Sequence, residues 1–320
     1  MKILITGAAG FIGSTLAERA LTLGHEVVGI DCFTDYYDVA LKKRNIDTLV
    51  KGFDQFSFVE GDLTRIDLAG FLQGQGFQHV YHLAGQPGVR KSWGAEFSSY
   101  MDQNVLATQR VLDAAKVLGG NAPRISYASS SSVYGQAARY PCTETDLPAP
   151  HSPYGVTKLA GEHLVSLYRE NFGLTATSYR FFTVYGPRQR PDMAFSRFIA
   201  AALEGQEITV FGDGTQIRDF TFVDDVVDAL MLGAQSSAEL PAVVNLSGGS
   251  SASVNQVLHI LRDMIDVPLR ISYQGAALGD VRQTGGENRL AREALRWSPK
   301  TDLLTGLASQ LGWELERRKS

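Results

Sequence analysis

Ile3-Leu4-Ile5-Thr6-Gly7-Ala8-Ala9-Gly10-Phe11-Ile12-Gly13 is the stretch that decides the fold of this 320-residue chain. A short apolar run stops at a glycine, and three glycines spaced G-x-x-G-x-x-G then open a segment of helical period. Small residues at a strand-to-helix turn let backbone amides approach a pyrophosphate, and the positive end of the helix favours its charge. Alone, a glycine pattern is a weak signal, so the surrounding chain has to carry the argument.

Outward from that stretch, apolar runs at Ile3–Thr6, Glu26–Ile30, Phe56–Val59, His79–His82, Arg124–Ala128 and Thr175–Arg180 alternate with longer segments of helical period. Such alternation predicts an α/β fold, a Rossmann-type doubly wound parallel sheet covered by helices on both faces. Beyond about residue 180 the spacing turns irregular, with Gly-Pro, Gly-Asp-Gly and Gly-Gly punctuation. The expected division is a nucleotide-binding domain over 1–180, with contributions from about 221–248, and a smaller C-terminal α/β substrate-binding part over 181–320. Gly248-Gly249-Ser250-Ser251 is expected to be a loop leading into a helix from Val254. There is no internal repeat and no low-complexity tract.

Composition narrows the function classes. Forty-four per cent hydrophobic residues supply a core, and 30 basic against 34 acidic residues give a net charge of -4, which argues against a nucleic-acid partner. Cys32 and Cys142 lie far apart with no C-x-x-C and no histidine cluster, so neither a disulfide framework nor a metal site is expected. No apolar stretch approaches the roughly 20 residues that span a bilayer. The N-terminus resembles a first strand rather than a cleaved signal, so a reducing cytoplasm is the expected location.

Three further features strengthen the phosphate-binding turn. Asp31 ends the second apolar run, where a carboxylate can accept hydrogen bonds from an adenosine ribose and repel a 2′-phosphate, favouring NAD over NADP. Asp62 follows the third run and could receive the adenine amino group, although a lone aspartate there also serves as a cap. His82-Leu83-Ala84-Gly85 closes the fourth run with small residues that let backbone pass beside a cofactor.

Tyr154-Gly155-Val156-Thr157-Lys158 opens a helical segment with Ser152 as cap and Pro153 at its first position. The i, i+4 spacing stacks Tyr154 and Lys158 one turn apart. A free phenol has a pKa of about 10. A nearby ammonium, the positive nicotinamide ring and the helix N-terminus would each stabilise phenolate and make Tyr154 a usable base. Upstream, Ser129-Ser130-Ser131-Ser132-Val133-Tyr134-Gly135 follows a core strand, where hydroxyls can aim at a reacting alcohol.

At these residues the chain resembles the extended short-chain dehydrogenase/reductase superfamily, the sugar-nucleotide epimerases and dehydratases, over essentially its whole length. The resemblance implies Tyr154, Lys158 and Ser130 as catalytic. It implies a cofactor wall of Gly7, Gly10, Phe11, Ile12, Gly13, Asp31, Phe33, Thr34, Asp62, Leu63, Leu83, Ala84, Gly85, Asn104 and Phe182, together with Tyr154 and Lys158. For the substrate it implies Gln86, Arg90, Ser130, Ser131, Thr183, Arg190, Val210, Arg218, Asp280 and Arg282.

Within that superfamily, Asp31-Cys32-Phe33-Thr34-Asp35-Tyr36-Tyr37-Asp38 is similar to the D-N-F-N-D-Y-Y-D stretch of UDP-glucuronate 4-epimerases, with Cys32 and Thr34 in place of the two Asn. Arg180-Phe181-Phe182-Thr183-Val184-Tyr185-Gly186-Pro187 and the following Arg190-Pro191-Asp192-Met193-Ala194 match the same subfamily. UDP-galactose 4-epimerases have Asn at the Thr183 position, so Thr183 and Arg190 are expected to read a uronate, the arginine through a bidentate fork. Phe211 to Phe220 resembles the segment that grips UDP, with Arg218 on the pyrophosphate.

The expected reaction is NAD-dependent inversion at C4 of a UDP-sugar, UDP-glucuronate to UDP-galacturonate, through a transient 4-keto sugar. The alternatives are a 4-epimerase for UDP-glucose or UDP-galactose, a UDP-glucuronate decarboxylase and a non-catalytic NAD-sensing protein. Dehydratases carry Asp-Glu before V-Y-G and decarboxylases usually Glu at the second position, where this chain has Ser131 and Ser132. The resemblance further implies a homodimer formed through Ser98–Leu118 and Pro153–Phe172.

Overall fold

The anticipated runs become β1 (Lys2–Thr6), β2 (Glu26–Asp31), β3 (Phe56–Glu60), β4 (His79–His82), β5 (Arg124–Ser130) and β6 (Ala176–Phe181). They are followed by β7 (Thr183–Tyr185), β8 (Glu207–Phe211), β9 (Ile217–Phe222), β10 (Val243–Leu246), β11 (Ser250–Ser253) and β12 (Arg270–Gln274). The computed structural model describes residues 1–265, 267–275 and 279–319.

β10, β6, β5, β4, β1, β2 and β3 lie side by side in that order as a seven-stranded, all-parallel sheet. Strand order reverses between β1 and β4, which opens a crevice at the carboxyl ends of those strands. The period-2 alternation of β1 feeds both faces. Ile3 and Ile5 enter one core layer with Leu16, Val226 and Leu230, while Leu4 enters the other with Val80, Val111 and Val165. Helices Phe11–Thr22 and Val223–Gln235 pack together over the first face, Ala107–Val117 and Pro153–Phe172 over the second.

β7, β9 and β11 form a separate three-stranded sheet, and β8 pairs with β12. Tyr185, Phe195, Phe198, Phe220 and Phe222 make the aromatic centre of this part.

Two expectations need correction. The Gly248–Ser251 stretch is not wholly loop: Ser250–Ser253 pairs antiparallel with β9. A Cβ on Gly248 would lie 1.9 Å from the Phe220 carbonyl oxygen, so only glycine lets the chain turn this tightly onto β9. Serines gave no alternation to read there. Ser253 then caps the next helix in a reciprocal pair with Gln256. The expected helix over Ser98–Leu118 is also interrupted. Residues Met101–Leu106 take the wider π form between Phe97–Tyr100 and Ala107–Val117, a device often found at functional sites.

Candidate active site

The helix Pro153–Phe172 starts as anticipated, with the Ser152 hydroxyl accepting from the Gly155 amide at 3.1 Å and Pro153 in the first turn. That start brings Tyr154 to the end of β5, where its phenol is hydrogen-bonded to Ser130. One turn on, Lys158 Nζ donates to the Ala128 carbonyl at 3.0 Å. The rest of the serine run diverges. Ser129 turns to the Glu162 carboxylate, and Ser131–Val133 form a single 3-10 turn.

The groups around Tyr154 act on its phenol in opposite senses. Burial pushes that phenol above its ordinary value; the Ser130 hydrogen bond and the Arg190 charge pull in the opposite direction. Lys158 is committed to Ala128 and is lowered by burial to about 8, against the raising pull of Glu162. Arg190 adds a cationic field at Tyr154.

Beside this pair runs an open cleft. Gly7, Gly10, Phe11, Ile12 and Gly13 line one side, Asp31, Thr34 and Leu63 the adenosine end, and Leu83, Ala84, Gly85 and Gln86 the end near Tyr154 and Lys158. Its glycines divide into two kinds. A Cβ on Gly7 would lie 2.7 Å from the Ala84 amide nitrogen, and one on Gly13 would lie 2.1 Å from the Gly7 oxygen, so both are needed for the chain to close on itself. A Cβ on Gly10 would meet only the Gly7 oxygen at 3.2 Å and otherwise stand in the cleft. Gly10 also brings no capping side chain to the helix it precedes, leaving first-turn amides for an outside acceptor. A dinucleotide pyrophosphate fits that cradle. Asp31 accepts from the Ala9 and Phe33 amides at 3.1 and 2.9 Å. Burial raises its pKa, against those amides and Lys42.

Asn104, inside the π segment, holds the Gln86 backbone through both its amide atoms, at 2.7 and 3.1 Å, and Thr157 Oγ1 at 3.0 Å. It crowds Gly85 together with Lys158 Nζ, so a Cβ there would meet both. Asn104 thus fixes the loop and the helix that flank the lysine.

Several expected contacts are placed elsewhere. Phe182 is 1% exposed and packs with Val133, Tyr134 and Cys142; its neighbour Phe181 lines the cleft instead, because alternation along the chain turns the two to opposite sides. Val210 points into the aromatic core of the C-terminal part. Phe33 takes φ 50° and packs on Phe58. Asp62 caps its own turn through Thr64. The Arg282 side chain is exposed.

A second pocket, beyond Ser131 and Ser132, is lined by Thr183, His151, Arg218 and Asp280. Arg90 lies 4.2 Å above the Phe211 ring and pairs with Asp280 at 2.8 Å, joining two loops at this end. Thr183 and Arg190 do not converge: Arg190 lines the first cleft, and its fork is closed on Asp192 by two bonds of 3.0 Å. Sequence reasoning also passed over Tyr37 and Lys42, which line the cleft near Asp31 and Thr34, and Tyr36, which lines it beside Gly88 and Tyr154. The Tyr-Tyr pair within Asp35–Asp38 was the available signal. Among the described residues no group of three or more potential ligands could hold a metal ion, and no helix is long and apolar enough to cross a membrane.

Comparison with known proteins agrees with this geometry. The NAD dependent epimerase/dehydratase family matches residues 3–247. A crystal structure of UDP-glucuronic acid 4-epimerase from Bacillus cereus, in complex with UDP-glucuronic acid and NAD, superposes with a TM-score of 0.94. It is 39% identical and covers 99% of this chain and 100% of that one. A UDP-glucuronate 4-epimerase of Thermodesulfobacterium geofontis is 35% identical, with 98% and 96% of the two chains covered. An uncharacterised UDP-glucose epimerase of Bacillus subtilis is 40% identical, with 98% of each covered.

Proposed function

The chain belongs to the NAD dependent epimerase/dehydratase family, and from that premise we propose that it inverts C4 of UDP-glucuronate to give UDP-galacturonate. The observation that carries the proposal is the hydrogen-bonded Tyr154–Ser130 pair, which stands between the glycine-lined cleft and the pocket holding Thr183 and Arg218.

Gly7 to Gly13, Asp31, Thr34 and Lys158 would hold NAD, which when bound supplies a hydride acceptor and then a donor at C4. Tyr154 takes the proton of the 4-hydroxyl and later returns it, while Ser130 shares the hydrogen bond and orients the alcohol. Lys158, one turn along, is placed for the nicotinamide ribose. Arg218 anchors the diphosphate while the 4-keto sugar turns over and presents its other face. A 4-keto uronate is a β-keto acid and loses carbon dioxide readily. Thr183, Ser131 and Ser132 line one pocket and would hold the carboxylate against that loss.

The closed Arg190–Asp192 fork favours a second reading, a neutral UDP-hexose as substrate, since that arginine is not free to fork a uronate. Incubation of the purified protein with UDP-glucuronate, UDP-glucose and UDP-galactose, followed by proton NMR of the sugar, separates them. Inversion at C4 of the uronate is expected. Turnover confined to neutral hexoses would move the substrate, and a pentose product would make the enzyme a decarboxylase.

A homodimer is part of the proposal. Met101 and Val156 stand 40% and 48% exposed along the helices that the resemblance implicates, and Trp93 and Phe97 stand 47% and 37% exposed just ahead of the first. Such a patch is best covered by a second copy, and light scattering would show twice the chain mass. Cys32 and Cys142 are both free, which suits a cytoplasmic location.

A further inference from the structure

Tyr154, Lys158 and Glu162 occupy successive turns on one face of the helix, and each reaches one of the last three residues of β5. Tyr154 meets Ser130, Lys158 meets the Ala128 carbonyl, and Glu162 meets the Ser129 hydroxyl. The first two rungs belong to the reaction proposed above. The third has no part in it, yet it is the most buried ion pair of the molecule among those described. The Glu162 and Arg180 side chains are each 4% exposed. Arg180 sits directly across from Ser129 in the β5–β6 register and grips Glu162 with both arms of its fork, at 2.9 and 2.7 Å. Its remaining nitrogen donates to the Tyr134 hydroxyl at 2.8 Å, which in turn donates to Asn245 Oδ1 at 2.8 Å on β10.

We propose that Glu162 is a positioning residue for the reaction: clamped by Arg180 and Ser129, it locks the reactive turns of the helix onto the end of β5 and places its charge one turn from the Lys158 ammonium. This rests on the reading of Tyr154 and Lys158 as the reacting groups. A pair this deeply buried is weak evidence for stability, because desolvation offsets the attraction. Its value lies in geometry and field.

Every element packed against Lys158 contributes a group. β4 brings His82, whose imidazole is lowered by burial, and then by Lys158, to about 3 and so is neutral. β5 brings the Tyr127 ring, 5.3 Å from Nζ, with its phenol raised by burial and also neutral. The π segment brings Asn104 near Gly85, and the helix itself brings Tyr154 and Glu162. Behind Glu162, β6 brings Arg180. Burial is the larger influence on Lys158, and Glu162 is the charge that opposes it. Removing the carboxylate therefore favours the neutral amine, and removing Arg180 favours the ammonium.

The test follows the Lys158 side chain in whole protein carrying 13C at the lysine ε carbon, with the signal assigned by its loss in Lys158→Met, and the pH profile of kcat alongside. Glu162→Gln should lower the Lys158 midpoint, and the alkaline limb of kcat, by about one pH unit. Arg180→Met should move both upward, with KM little changed. Variants that lose activity without moving either quantity, or that move both the same way, would overturn the proposal. Each single variant strands a buried charge. If either fails to fold, Glu162→Gln/Arg180→Gln carries the test: its Lys158 midpoint should still fall, and an unmoved midpoint refutes the role. Full turnover by Lys158→Met would instead remove the functional reading, while the NMR titration continues to report on Glu162.

Discussion

The two walls of the active cleft are built from different materials. The cofactor side is backbone: glycines at the end of β1, a bare helix start and the ends of parallel strands. The sugar side is side chain: loops joined by Arg90 with Asp280, and a loop closed on itself by Arg190 with Asp192, resting on a small aromatic core. A wall made of backbone has little room to vary without losing the fold, whereas a wall made of paired side chains can be retuned one residue at a time. The difference explains how one dinucleotide cradle serves relatives with different sugars.

Substitutions on each side can break or sharpen this contrast. The largest effect belongs to the junction. Tyr154→Phe should lower kcat about 10³-fold, roughly 4 kcal/mol in the barrier, with circular dichroism and melting unchanged. On the cofactor wall, Gly13→Ala drives a Cβ onto the Gly7 oxygen. It should cost about 1–3 kcal/mol of stability in a denaturant titration and strip NAD from the purified protein. On the sugar wall, Thr183→Ala should leave melting unchanged and shift the kcat/KM ratio between UDP-glucuronate and UDP-glucose about tenfold toward the neutral sugar, the worth of one hydrogen bond to a charged group. The smallest effect is expected for Asp280→Asn. The pair with Arg90 is partly exposed, so stability should move by less than about 1 kcal/mol, visible mainly as altered salt dependence of KM. If Gly13→Ala proved as harmless as Asp280→Asn, the contrast between the walls would be lost.

pH supplies a further test. The Lys158 midpoint is depressed to about 8 in the folded chain. Its ammonium is therefore present below that pH and lost above it, and kcat should fall as pH rises through about 8. The folded state also holds the neutral amine more readily than the unfolded chain does. Stability owed to this group consequently grows between about 8 and the ordinary lysine value of about 10.4, opposite in sense to activity.

The same contrast governs what could be read from sequence. Strand runs, glycine spacing and the Ser152–Lys158 helix start report local backbone demands, and each appears in the structure with no end moved by more than two residues. Phe182 and Val210 were misplaced because which face a residue presents depends on register against neighbours far along the chain. Arg190 was assigned to the uronate from its type and from the resemblance; its fork is instead closed on Asp192 two residues on, and its field on Tyr154 exists only in the folded cleft. Within the serine run only the resemblance singled out Ser130, which serves Tyr154; nothing marked Ser129 as the partner of Glu162. The π segment at Asn104 has no periodic signature at all.

The central claim is that one carbon gives up its hydrogen and takes the same hydrogen back on the other face. UDP-glucuronate bearing deuterium at C4, incubated with the enzyme in ordinary water, tests this most directly by mass spectrometry and NMR of the product. UDP-galacturonate with the deuterium retained at C4 is the predicted result. Inversion with the label washed into water would contradict it, because the hydrogen would then have left as a proton from a site that has no part in the chemistry described.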